Sequence, residues 1–180
     1  MASTSDFPTP KHIKGGCLCG ALRYEVDFPP DHDFKHSAST CECTQCRKQT
    51  GGLFLVSHRV RPASAFRFTT DTATLKRFSA SASAERGFCS DCGSLIYWQP
   101  QSGGYTCFTV GTVDPLYLFG EGADAVQAGE SHQPIPTHGF GLALASGEGS
   151  HYWSVNEIPG VTDNVPVAGF GRGTRYPKDD

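Results

Sequence analysis

Methionine is nearly absent from this 180-residue chain, which holds one, and tryptophan occurs only twice. No window is rich in Ala, Glu, Lys, Leu and Arg, so the chain lacks the material of a helical bundle. It also lacks any run approaching the roughly 20 consecutive apolar residues that span a bilayer, which predicts no membrane partner. The first 14 residues carry no apolar stretch behind their charges, unlike a secretory leader, so a reducing, cytoplasmic setting is expected. Charge of one sign is missing too. Fifteen Lys and Arg against 18 Asp and Glu give a net charge of -3, no field to attract nucleic acid or anionic lipid. Charged residues (18%) and hydrophobic residues (38%) both fall short of the usual globular share.

What the chain does have is glycine (21), proline (12) and cysteine (8). The first two predict many turns and few long helices, hence a mainly β domain. The cysteines fall into clusters: Cys17 and Cys19; Cys41, Cys43 and Cys46; Cys89 and Cys92; with Cys107 alone. Where disulfides do not persist, close pairs separated by long gaps are the arrangement in which two segments each give two thiolates to one tetrahedral zinc ion. Spacing pairs Cys17/Cys19 with Cys89/Cys92 in a closed, structural site. The triplet Cys41, Cys43 and Cys46 then holds a second zinc with one position open, as catalytic sites do. Cys107, in a β-branched and aromatic run at 105–110 that reads as a strand interior, or a histidine, is the alternative fourth ligand, which would make both metals structural.

Alternating or strongly apolar runs predict strands at 21–26, 53–60, 66–70, 73–78, 94–98 and 105–111, at spacings suited to an antiparallel sheet. A single helical turn is expected at 46–50, stopped by Gly51. The domain is expected over 15–168, between a flexible N-terminus (1–14) and a flexible tail (169–180). A Gly-, Ala- and Ser-rich segment at 120–149 reads as a long loop, with a strand resuming at 151–155.

Taken together, Gly15-Gly16-Cys17-Leu18-Cys19-Gly20-Ala21-Leu22-Arg23-Tyr24, Cys41-x-Cys43-x-x-Cys46-Arg47-Lys48-x-Thr50-Gly51, Arg86-Gly87-Phe88-Cys89-x-x-Cys92-Gly93-Ser94-Leu95 and Val110-Gly111-Thr112-Val113-Asp114 resemble, in order, the motifs of the glutathione-dependent formaldehyde-activating (CENP-V/GFA) family. The resemblance implies an Mss4-like, zinc-bound antiparallel β fold. It implies a structural zinc on Cys17, Cys19, Cys89 and Cys92 and a second zinc on Cys41, Cys43 and Cys46, two Zn²⁺ per chain. It further implies glutathione as the thiol partner, formaldehyde as the carbonyl, and a carbon–sulfur lyase or synthase activity like that forming S-(hydroxymethyl)glutathione. The alternatives are a zinc enzyme tailoring another small metabolite at the same open site, and a non-catalytic zinc scaffold. Glutathione carries two carboxylates, and Arg47, directly after the open cluster, is the expected contact for one of them. Arg59, Arg61 and Arg86 are further candidates. His58, in an apolar strand, reads as a packed histidine; His138 and His151 are candidate proton shuttles.

Overall fold

The structure, a computed structural model, describes residues 7–127, 136–163 and 173–178. Eleven strands and five short helices run in the order β1 (His12–Gly16), β2 (Arg23–Asp27), α1 (Phe34–Ser37), β3 (Ala38–Cys41), α2 (Thr44–Thr50), β4 (Leu55–Val60), β5 (Phe66–Phe68), β6 (Leu75–Ser81), β7 (Ala84–Cys89), β8 (Leu95–Pro100), β9 (Thr106–Thr109), α3 (Pro115–Phe119), α4 (Ala123–Gln127), α5 (Gly141–Ala145), β10 (Ser150–Tyr152) and β11 (Thr174–Tyr176). The chain is mainly β, as expected. None of the described helices is long and apolar enough to cross a membrane.

The strands form two sheets, β1-β2-β5 and β11-β10-β3-β4-β9-β8-β7-β6. Ladders are antiparallel except those of β10, which runs parallel to both β3 and β11. The antiparallel expectation is corrected there: β10 comes back to the sheet through the segment after β9, a crossover long enough to set it parallel.

The principal core lies between the sheets. Ile13, Leu22, Tyr24, Val26 and Phe28 on one side meet Val60, Ile96, Tyr97, Phe108 and Val110 on the other. Period-two alternation decides which residues take part. In β9, Thr106 and Phe108 are buried while Cys107 and Thr109 are half-buried on the opposite face. Gly87 is required where it stands, since a Cβ there would lie 2.1 Å from the Tyr97 ring packed above it. His58 is a fully buried core histidine, as its strand suggested. Its Nδ1 bonds the Leu144 carbonyl at 3.0 Å and its Nε2 bonds His32 Nε2 at 2.8 Å. Burial, reinforced by His32, pulls its pKa down to about 3, so it packs neutral.

Several boundaries differ from the sequence expectation. β1 begins at His12, inside the stretch expected to be flexible, because Ile13 enters the core and Gly15 lets the Tyr24 ring lie against the strand. The 120–149 segment is not simply a loop: it contains the end of α3's cap, α4 and α5, and α5 buries Ala143 and Leu144; 128–135 lie outside the described residues. Within the expected tail, β11 pairs with β10. Residues 1–6, 164–172 and 179–180 lie outside the described residues.

Candidate metal centres and their cavity

The first cysteine group forms where the small sheet meets the large one. Cys17 follows β1 and is held in a tight turn, with the Cys17 N–H donating to the Leu22 carbonyl and the Gly20 N–H to the Cys17 carbonyl. Cys89 ends β7, and the Gly93 N–H returns to the Cys89 carbonyl, closing the second knuckle through a left-handed glycine at φ +77°. The Leu18 N–H donates to Ser94 Oγ at 3.0 Å and so ties the two knuckles together. The four sulfurs of Cys17, Cys19, Cys89 and Cys92 lie within 4.8 Å of one another. Cys17–Cys19 and Cys19–Cys89 are 3.5 and 3.7 Å apart, close to the roughly 3.8 Å edge of a tetrahedron with metal–sulfur bonds near 2.3 Å. The Leu22 N–H also points at Cys17 Sγ (3.2 Å), a donor suited to a thiolate. This donor set fits a closed four-sulfur metal site.

The second group is built at a strand-to-helix corner. Cys41 ends β3, Cys43 is the N-cap of α2 and Cys46 lies in its first turn. Cys43 Sγ accepts from the Cys46 N–H at 3.3 Å, and the helix ends at Gly51, φ +69°, whose N–H caps the Arg47 carbonyl. These three sulfurs again lie within 4.8 Å of one another. Hydrogen bonds from Cys41 and Cys46 hold the Cys43 thiol well below its ordinary value, and bonding to Cys43 pushes Cys41 up. Both groups could hold a metal ion. Among the described residues no histidine or carboxylate joins either group, and Cys107 belongs to neither.

Cys107 is nevertheless a neighbour. The cavity over the triplet has a volume of about 130 Å³ and is lined by Cys41, Cys43 and Cys46 together with Ser39, Ser57, Arg59, Arg86, Trp98, Tyr105, Cys107 and Tyr152, among others. Its floor is the face of the large sheet turned away from the core. Register places Arg59 opposite Cys107, Cys107 opposite Trp98 and Trp98 opposite Arg86, one row across β4, β9, β8 and β7. A parallel row sets Ser150, Ser39 and Ser57 side by side. Burial pushes the Cys107 thiol up to about 12, so it stands in this wall as a neutral group.

Arg47 is placed elsewhere than expected. Its Nη2 donates to Glu42 Oε2 (2.8 Å) and to the Asn156 carbonyl, and its Nε donates to the Leu53 carbonyl (2.9 Å). It is absent from the cavity lining. Glu42 is buried, and Thr162 Oγ1 donates to the same carboxylate oxygen at 2.7 Å. This placement has a plain cause: a buried carboxylate needs a cation, and Arg47, five residues further along the chain in α2, supplies it. Arg47→Ala is therefore expected to lower stability by about 2–3 kcal/mol, with no selective loss of affinity for a carboxylated thiol. Denaturant unfolding beside thiol titration checks this; an unchanged midpoint with weakened glutathione binding would restore the contact role.

Among the described residues the arginines that line the cavity are Arg59 and Arg86, which the sequence offered only as lesser candidates. His151 is buried, bonded to Thr40 Oγ1 and to the Gly147 carbonyl, and His138 is exposed beside Gly120, so the structure places neither on the cavity. The cavity residues that sequence reasoning missed include Ser39, Ser57, Trp98 and Tyr105. Alternation sets Ser39, Ser57 and Tyr105 two residues before Cys41, Arg59 and Cys107, whereas β8 holds no cysteine or arginine to mark Trp98, and only the register brings the four strands together.

The model of the family described as "Glutathione-dependent formaldehyde-activating enzyme" matches residues 12–126, well over half of the chain. The chain belongs to this family. Curated relatives include a protein of Phaeosphaeria nodorum, 34% identical over 90 residues covering 48% of this chain and 45% of that one. Another, from Halomonas elongata, is 30% identical over 96 residues covering 47% and 54%. Both carry the provisional name glutathione-dependent formaldehyde-activating enzyme, and the chain spans about half the length of the curated relatives it matches. A crystal structure of a Rhodobacter sphaeroides protein overlaps 69% of this chain and 99% of its own, at 24% identity and a TM-score of 0.47. As a member of the family, the chain carries both cysteine groups within the matched span.

Proposed function

We propose that this chain is a two-zinc carbon–sulfur lyase or synthase that makes and breaks the glutathione adduct of formaldehyde or of another small carbonyl compound. The observation that carries the reading is the second cysteine group: three clustered sulfurs on the wall of a cavity, with the one further cysteine nearby outside their reach. A scaffold metal would call for a fourth protein ligand in that group, a sulfur or an imidazole, and among the described residues none joins it. Three thiolates suit zinc, and a fourth ligand that is itself soft, a substrate thiol, completes the preference. A zinc ion there supplies a Lewis acid that lets an incoming thiol lose its proton at neutral pH.

The residues of the chain do the rest. At about 130 Å³ the cavity is well under the roughly 300–1,000 Å³ of pockets that bury drug-sized ligands, so it takes the thiol end of glutathione and a short carbonyl compound. The remainder of the tripeptide stays outside that volume, near Arg59, a lining residue whose guanidinium lies 6.0 Å from the Tyr105 ring centre, with that of Arg61 at 4.7 Å from the same ring. Arg59 offers a carboxylate contact there in place of Arg47. Ser39 and Ser57, whose hydroxyls are 3.0 Å apart, offer O–H donors to the carbonyl oxygen as it gains charge. The sulfur electron pair forms the C–S bond, the carbonyl π pair moves to oxygen, and the proton lost by the thiol ends on that oxygen. The reverse reaction breaks the same bond, and no further reactant is needed.

Exchange NMR with ¹³C-formaldehyde and glutathione tests this. Zinc-loaded protein is expected to speed interconversion of the adduct above the spontaneous rate. Exchange equal to the spontaneous rate, with both zincs in place, would overturn the reading.

A further inference from the structure

Arg86 is the anomaly of the cavity. The residue is only 4% exposed, yet among the described residues only one of its three nitrogens, Nη2, has a partner, donating to Gln45 Oε1 at 2.9 Å. Nε and Nη1 are buried without an acceptor among the described residues. The arginines beside a buried or half-buried carboxylate are paired with it: Arg23 with Asp114, Arg47 with Glu42, Arg67 with Glu25, Arg77 with Glu85 and Arg175 with Glu157. The Cys46 sulfur lies close enough to share its charge with Arg86, but it takes up neither of these two donors, and buried N–H groups of a guanidinium left without an acceptor are costly unless an oxyanion arrives to meet them. The side chain stands on the cavity wall, at the end of the row Arg59–Cys107–Trp98–Arg86, in the same small space as Cys41, Cys43 and Cys46.

We propose that Arg86 is the anion receptor of this cavity, and that the carbonyl half of the adduct bears a carboxylate: the substrate class is the thiol adduct of a short oxo acid. The assignment rests on the functional reading above and narrows it. The carboxylates of glutathione are separated from its sulfur by a peptide bond on either side, whereas a group held by Arg86 shares a cavity of about 130 Å³ with the sulfur ligands and must lie within a few bonds of the reacting carbon. An oxo-acid adduct meets that condition, with sulfur, carbon and carboxylate in succession. In its formation the thiol sulfur bonds the carbonyl carbon, the π pair goes to the carbonyl oxygen, and that oxygen takes the thiol proton. The carboxylate is unchanged and no oxidation occurs. A planar guanidinium with unpaired N–H groups is built to hold such a carboxylate in one orientation.

The probes are mercaptoacetate, which has the sulfur–carbon–carboxylate skeleton, 2-mercaptoethanol, which lacks the charge, and glutathione, each titrated calorimetrically into the zinc-loaded protein. Wild type is expected to prefer mercaptoacetate over mercaptoethanol by about tenfold or more, the worth of a charged hydrogen bond. Arg86→Gln should abolish that preference while keeping two zincs and its affinity for glutathione, and Arg59→Gln should leave the preference in place. Equal affinity of wild type for mercaptoacetate and mercaptoethanol overturns the carboxylate assignment alone. No binding of any thiol overturns the functional reading as well. A preference that follows Arg59, a loss confined to glutathione, or loss of the second zinc in Arg86→Gln each overturns the assignment, the last by making Arg86 a counter-charge to the sulfur cluster. If Arg86→Gln does not fold, Arg86→Lys decides: it keeps the charge without the planar fork and should cut the preference severalfold, and an unchanged preference overturns the proposal.

Discussion

Cys89→Ser is expected to leave the chain unfolded or insoluble. Cys89 is fully buried at the end of β7, and its group joins the loop after β1 to the β7–β8 knuckle, so a metal held there would fasten the small sheet to the large one. A structural zinc contributes on the order of 10 kcal/mol to folding in small domains, as much as the whole net stability of a typical one. Oxygen in place of sulfur weakens the site, and a chelator strong enough to strip this group should have the same effect on wild type. Circular dichroism, denaturant unfolding and zinc analysis check it. A soluble variant with one zinc fewer and an unchanged cooperative transition would show that packing between the sheets suffices without the metal.

Cys46→Ser should give the opposite pattern, a folded protein that has lost its chemistry. The corner carrying the triplet is held by more than its sulfurs: β3 pairs with β4 over four residues and with β10 over three, α2 ends in a left-handed glycine cap, and Arg47 ties the helix to Glu42 and Asn156. Removing one sulfur should cost about 1–3 kcal/mol of stability, mainly from placing a hydroxyl in a buried site. The second zinc should be lost or bound at least about a hundredfold more weakly, and acceleration of the formaldehyde–glutathione exchange should fall by a similar factor or more. Zinc stoichiometry dropping from two to one with an intact unfolding transition is the expected signature. Full activity in a one-zinc Cys46→Ser protein would move the reaction away from the triplet.

The contrast between these two variants was legible from spacing, because metal-ligating cysteines must approach one point and short loops limit which can do so. Cys89-x-x-Cys92 with Gly93 behind it describes a knuckle before any fold is known. The strands with clean alternation were legible for a similar local reason. β1 was not, since its two glycines and charged residues hide a core position, Ile13, and a glycine that matters through the Tyr24 ring lying against it. The parallel setting of β10 was not, since it depends on how the chain after α3 returns.

Arg47 shows the limit most clearly. Its place beside Cys46 in sequence suggested a substrate contact, but an arginine on a helix reaches in any of several directions, and the buried Glu42 carboxylate captured it. Arg59 and Arg86, 27 residues apart, meet the triplet only because four strands stack their pleats in register, and no local pattern reports which strands are neighbours. By itself, then, the sequence determined the family, the mainly β class and the two sets of sulfurs, all properties of short segments. The tertiary structure alone decided that Cys107 stands beside the second set without joining it, and which cations face the cavity, because sheet register joins residues that are distant along the chain.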